Sequence, residues 1–203
     1  PIINNLKNKG IRWLSDVTFL ADTEQMLQAM QDAGFKPDVI DLGQQYYDET
    51  LPGKPGSEGV LVLTNTAPFE DAGNKAIQVY KTELQQHSPK PPPTTLGVSA
   101  FSAGLLFAQA AGSLGKDLTR DELLKALPAI KKWDGGGLQM RTDPGDNKPM
   151  DCFMYMRVEH GRFVRYWPES PTDGTNGFDC NPDYVVHLPN QHVKLPPGWP
   201  TSG

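Results

Sequence analysis

Blocks of positive charge are missing from this 203-residue chain. Its 19 Lys and Arg are scattered and outnumbered by 24 Asp and Glu, for a formal net charge of -5. Phosphate backbones are held by clustered cations, so this balance argues against a nucleic-acid partner and favours small ligands or proteins. Long apolar runs are also missing. The longest, Ala100 to Ala111, is broken by Ser102, Gly104 and Gln109 and is too short to span a bilayer, so no transmembrane helix is expected. Metal-binding patterns are absent too. His87, His160, His187 and His192 form no H-E-x-x-H arrangement, and Asp143, Asp146 and Asn147 flank Pro144-Gly145 without the downstream bidentate Glu of a calcium loop. Gly135-Gly-Gly137 lacks the Lys-Ser/Thr ending of a phosphate loop. No metal and no cofactor are expected. The chain starts at Pro1 with neither an initiator Met nor a basic-then-apolar leader, which suggests a processed or trimmed protein.

Cysteine is scarce, with Cys152 and Cys180 the two present and no C-x-x-C between them. A single disulfide is a better reading than two free core thiols, and its formation implies an extracytoplasmic compartment.

The chain contains clear α/β alternation. Ile11 to Val17 reads as a strand, and Asp22-Thr-Glu-Gln25 resembles a capping box opening a helix that carries Met26, Leu27, Met30 and Ala33 on one face and stops at Gly34. Asp38 to Leu42 is a second strand, completing a βαβ unit, and Gly59 to Thr64 is a third. Helical spacing runs from Ala72 to His87, ended by Pro89 and the stiff Pro91-Pro-Pro93 linker. Another helix is expected over Ser99 to Gly112, and Thr119-x-x-Glu122 caps the next. Leu138 to Arg141 and Cys152 to Val158 read as strands, the latter joined to Phe163 to Tyr166 through a Glu159-His-Gly-Arg162 hairpin. Irregular structure is expected from Pro168 onward.

Several stretches carry a resemblance, in this order: Gln28-Ala-Met-Gln-Asp-Ala-Gly-Phe-Lys-Pro37, Glu58-Gly-Val-Leu-Val62, Phe101-Ser-Ala-Gly-Leu-Leu-Phe-Ala-Gln-Ala110 with Leu118-Thr-Arg-Asp-Glu-Leu-Leu-Lys-Ala-Leu127, and Val158-Glu-His-Gly-Arg-Phe-Val164. Together they resemble the C-terminal portion of type I periplasmic binding proteins of the branched-chain amino-acid receptor group. The resemblance covers about Pro1 to Pro168. It implies a three-layer parallel-sheet lobe, incomplete in this chain, with a small antiparallel C-terminal element. It places residues 1–66 in the second of two lobes, 67–167 in the hinge crossing, helices and terminal strands, and 168–203 in an irregular tail. It further implies a protein that is not an enzyme. Such a protein captures an amino-acid-like solute in the periplasm or outside the cell, after removal of a signal peptide and with a lipid anchor as one option. It then presents that solute to the membrane permease of an ABC transporter.

In an open α/β sheet, ligands sit beyond the carboxyl ends of the strands. The candidate contacts are therefore Thr18 and Phe19 after the first strand, Gln44, Gln45, Tyr46, Tyr47 and Asp48 after the second, and Asn65 and Thr66 after the third. Tyrosines offer an apolar face and a hydroxyl, Asp48 a partner for an ammonium, and Gln44 or Gln45 a polar anchor. The plainer reading has Tyr46 and Tyr47 covering a lobe surface and Asp48 capping a helix. One enzymatic alternative exists. Ala100-Phe-Ser-Ala-Gly104 approximates the nucleophile elbow of an α/β-hydrolase, with Asp134 and His187 following Ser102 in triad order. The small residues around Ser102 also suit plain helix packing.

Overall fold

The computed structural model describes residues 1–87, 91–146, 148, 150–170 and 175–186. The strands are β1 (Trp13–Asp16), β2 (Val39–Leu42), β3 (Leu61–Thr64), β4 (Cys152–Glu159), β5 (Arg162–Trp167) and β6 (Asp179–Cys180). They form one mixed sheet in the order β1-β2-β3-β4-β5, with β6 paired to β4. β1, β2 and β3 are parallel, Trp13 lying opposite Val39 and Asp41 opposite Leu61. β4 then runs antiparallel to β3, and β5 and β6 run antiparallel to β4. This is the expected α/β lobe with a parallel half and a C-terminal antiparallel element.

The helices are α1 (Ile2–Asn8), α2 (Leu20–Asp32), α3 (Lys75–His87), α4 (Thr95–Leu114) and α5 (Arg120–Ala126). Alternation along each strand sends Ile40, Leu42, Val62, Met154, Met156 and Val158 into one buried face. Leu27 and Met30 of α2, Ile77 and Tyr80 of α3 and Val98 of α4 join the same core. A Leu27→Ala change there would cost about 2–5 kcal/mol. The opposite sheet face is open to solvent, with Trp13, Tyr166 and Trp167 exposed.

Turn chemistry closes these elements. His160 and Gly161 both take positive φ, as a two-residue hairpin between right-twisted strands requires. Gly34 ends α2 at φ +58°, and Thr119 caps α5 by accepting from the Glu122 N–H. β6 lays Cys180 beside Cys152, and the two form a disulfide with Cα atoms 4.1 Å apart.

Four local expectations are corrected. α2 begins at Leu20 behind Phe19, which makes no capping hydrogen bond, so Asp22 lies within the first turn rather than at a capping box. Leu138 to Arg141 is not a strand: its backbone contacts are single, with Thr66 bridged to Gln139 and the Met140 N–H donated to the Asn65 carbonyl. The sequence reading leaves out α1, whose Ile3 and Leu6 pack on the edge of the core. α4 starts earlier than expected because the Thr94 hydroxyl accepts from the Gly97 N–H. That adds an apolar turn, and the continuous helix Thr95–Asp117 is long and apolar enough to cross a membrane by length and composition, with only a minor part of it buried.

Candidate functional site

Three loops leave the carboxyl ends of β1, β2 and β3 side by side, and hydrogen bonds fix their relative positions. The Tyr46 hydroxyl accepts from the Thr18 N–H at 2.6 Å and donates to the Thr18 carbonyl at 2.7 Å, tying the second loop to the first. Asp16 at the end of β1 accepts from the hydroxyls of Thr18 at 2.8 Å and Thr23 at 2.5 Å. The third loop is joined to α4 by a chain of hydroxyls, Thr64 to Thr66 at 2.9 Å and Thr66 to Thr95 at 3.2 Å. The segment before α4 runs along the second loop, the Glu49 N–H donating to the Pro93 carbonyl and the Thr95 N–H to the Tyr47 carbonyl. A cavity of about 800 Å³ opens beside this junction among Glu49, Lys81, Leu84 and Pro92.

Tyr46 and Tyr47 do not cover a surface; both are fully buried. The Tyr47 ring stacks on Phe69 with centroids 4.3 Å apart and meets Phe163 edge-on. Burial, reinforced by the neighbouring Glu70 carboxylate, pushes the Tyr47 hydroxyl well above the usual tyrosine range. Asp48 is engaged locally, its carboxylate accepting from both the N–H and the hydroxyl of Thr50. Phe19 is largely exposed at the start of α2. Thr66 is buried with its hydroxyl satisfied, while Gln45 is half-buried in the second loop.

Gln44 and Asn65 differ from these. Gln44 Oε1 and Asn65 Oδ1 are buried acceptors without a hydrogen-bond partner in the protein. They lie in the loops after β2 and β3, which are adjacent strands. A buried acceptor left unpaired costs about 1–3 kcal/mol, so each of these two oxygens is a position where a donor would stabilise its loop.

Ser102 is not on an elbow. It lies inside α4, buried, seven residues into the helix, with its oxygen accepting from Trp133 Nε1 at 3.0 Å, rather than on a turn between a strand and a helix. The Asp134 carboxylate accepts from the Gly136 N–H and from Asn176 Nδ2. His187 and His192 lie outside the described residues, as do Asn147 and much of the expected tail. No group of three or more His, Cys, Asp or Glu that could hold a metal occurs among the described residues.

In open α/β sheets ligands are bound beyond the carboxyl ends of the parallel strands, where these mutually braced loops lie. A family model described as periplasmic binding protein matches residues 1–162, and the chain belongs to that family. Solved structures agree on the fold. A leucine binding protein from Thermotoga maritima superposes with a TM-score of 0.65 at 14% identity, covering 91% of this chain and 49% of its own. A branched chain amino acid ABC transporter protein from Thermus thermophilus with bound valine gives 0.63 at 12% identity, covering 81% and 47%. A solute binding protein from R. palustris in complex with benzoate gives 0.63 at 15%, covering 81% and 44%. This chain therefore spans about half the length of these structures. No curated protein matches it.

Proposed function

We propose that this chain is the sheet-bearing part of an extracytoplasmic solute-binding protein that captures an amino acid for an ABC importer. The observation that supports the reading most is the pair of unpartnered oxygens, Gln44 Oε1 and Asn65 Oδ1, at the ends of β2 and β3. Both oxygens accept, which suits a ligand ammonium. That favours solutes like the valine and leucine of the related structures over one like benzoate. Asp48, engaged with Thr50, gives up the ammonium role to these amides. In this reading residues 1–66 belong to the second lobe and 67–167 carry the crossing, the helices and the last strands. The mostly exposed α4 meets the other lobe, and closure by hinge motion presents the solute to a membrane permease. The Cys152–Cys180 disulfide suits an oxidising compartment outside the cytoplasm, with a removed signal peptide and a lipid anchor compatible with that location.

The test is thermal unfolding with leucine, isoleucine, valine and benzoate in large excess. A bound solute at about a hundred times its Kd adds about 2.7 kcal/mol and raises the midpoint by several degrees. A shift with a branched-chain amino acid and none with benzoate is expected. A shift with benzoate alone counts against the ammonium reading.

A further inference from the structure

The segment between α5 and β4 braces the third loop, and residues near the end of the chain brace that segment in turn. Ala67 donates its N–H to the Leu138 carbonyl at 2.8 Å and Met140 donates to the Asn65 carbonyl at 2.9 Å, with Thr66 bridged to Gln139 between them. Thr66 and Gln139 are thus a non-hydrogen-bonded antiparallel pair, and the Gln139 N–H and carbonyl turn away from the third loop. Both find partners there. The N–H donates to the Asp134 carbonyl at 3.1 Å, and the carbonyl accepts from Asn176 Nδ2 at 3.4 Å. The same Nδ2 donates to Asp134 Oδ2 at 3.1 Å, while Asp134 Oδ1 accepts from the Gly136 N–H at 2.9 Å. One side-chain amide therefore clasps both ends of the turn that presents Gln139 to Thr66.

Asn176 is itself fixed. It takes φ 56°, a left-handed conformation in which Asn is enriched. Two residues on, Phe178 is fully buried in the core; Arg165 Nη1 of β5 donates to the Gly177 carbonyl at 2.7 Å, and Cys180 is joined to Cys152 of β4. Residues 175–180 thus form a strap fastened to the antiparallel half of the sheet, and they lie beyond the stretch that the family model matches. At the other end of the chain of contacts, Asn65 Nδ2 donates to Met150 Sδ at 2.7 Å, which leaves Asn65 Oδ1 as the unpartnered atom of that amide. The direction of Oδ1 then depends on the backbone at Asn65, and Met140 holds that backbone.

We propose that Asn176 is a positioning residue for the solute site: by holding Gln139 and Asp134 it fixes the segment that sets the direction of Asn65 Oδ1. The role rests on the reading of that oxygen as a solute acceptor. Asn176→Gly tests it, because glycine keeps the left-handed backbone without strain and removes the clasp alone. In hydrogen exchange of the 203-residue chain, the Met140 and Ala67 amides should lose protection by at least about threefold. The Val158 amide, bonded to the Val60 carbonyl within the sheet, should not change. Isothermal titration with the branched-chain amino acid that stabilises the wild type most should show about three- to tenfold weaker binding, the worth of one hydrogen bond. The same substitution made in Asn65→Leu should add no further loss, whereas a merely structural role would weaken that variant too. Unchanged exchange at Met140 and Ala67, wild-type affinity in Asn176→Gly, or an equal loss in the Asn65→Leu background each overturns the proposal and leaves the acceptor reading standing. No binding by the wild type, or wild-type affinity in Asn65→Leu, overturns the acceptor reading and the proposal with it.

Discussion

The Tyr47 hydroxyl donates a 2.5 Å hydrogen bond to Glu70 Oε2 while accepting one from the Phe69 N–H at 3.0 Å. The loop that should greet a ligand is thus nailed to the next strand's loop by one buried ring. Replacing Tyr47 with Phe leaves the Phe69 N–H without its acceptor inside the core. We expect a loss of about 1–3 kcal/mol in urea unfolding. Unchanged stability would mean that Tyr47 is not the structural post described.

The partner carboxylate makes stability depend on pH. Although Glu70 is exposed as a residue, desolvation of its carboxyl raises its pKa above the ordinary value, against the lowering by the Tyr47 hydrogen bond. For an acid whose folded pKa is raised, stability is complete below the unfolded pKa and is lost as pH rises through the folded one. A Glu70→Gln variant keeps an acceptor for Tyr47 and has no charge to bury. Relative to wild type it should gain stability between about pH 4 and pH 7, followed by thermal unfolding across that range. A gain that shrinks toward neutral pH contradicts this sign.

The Cys152–Cys180 bridge joins residues 28 apart in sequence at a point where β4 and β6 already pair. Chain-entropy arguments give such a loop about 3–4 kcal/mol of stabilisation. A Cys152→Ser, Cys180→Ser double variant should unfold at correspondingly lower urea concentration while keeping the same solute preference.

Ser102 accepts from Trp133 Nε1 within the protein. A Ser102→Ala change should destabilise the fold by about 1–3 kcal/mol by stranding the indole N–H. It should leave ester hydrolysis by the preparation unaltered. Loss of an esterase activity in that variant would restore the hydrolase reading.

Where local chemistry decides, the sequence was a good guide. The His160-Gly161 hairpin, the Thr119 cap and the stop at Gly34 each depend on one or two residues with a distinctive preference, and each forms as expected. Parallel pairing of β1 with β2 followed from strand, helix and strand in close succession. What stayed hidden depends on residues distant in the chain. Nothing near Tyr46 and Tyr47 shows that their rings will be buried against Thr18, Phe69 and Phe163, and an aromatic pair in a loop reads equally well as a ligand wall. The early start of α4 is a different case, since Thr94 has the right chemistry for a cap but follows a proline run that set the expected boundary too late, at Ser99. Gln44 and Asn65 were within reach as polar residues at strand ends. Their missing partners show only when the surrounding donors have been placed.

If Gln44 and Asn65 supply the two acceptors for a solute ammonium, isothermal titration of Gln44→Leu and Asn65→Leu against wild type will show it. The ligand is the branched-chain amino acid that shifts the wild-type midpoint most. Each variant removes a buried unpaired acceptor, so each should unfold no more easily than wild type and yet bind the solute at least about tenfold more weakly. Wild-type affinity in both folded variants would mean that the solute binds elsewhere.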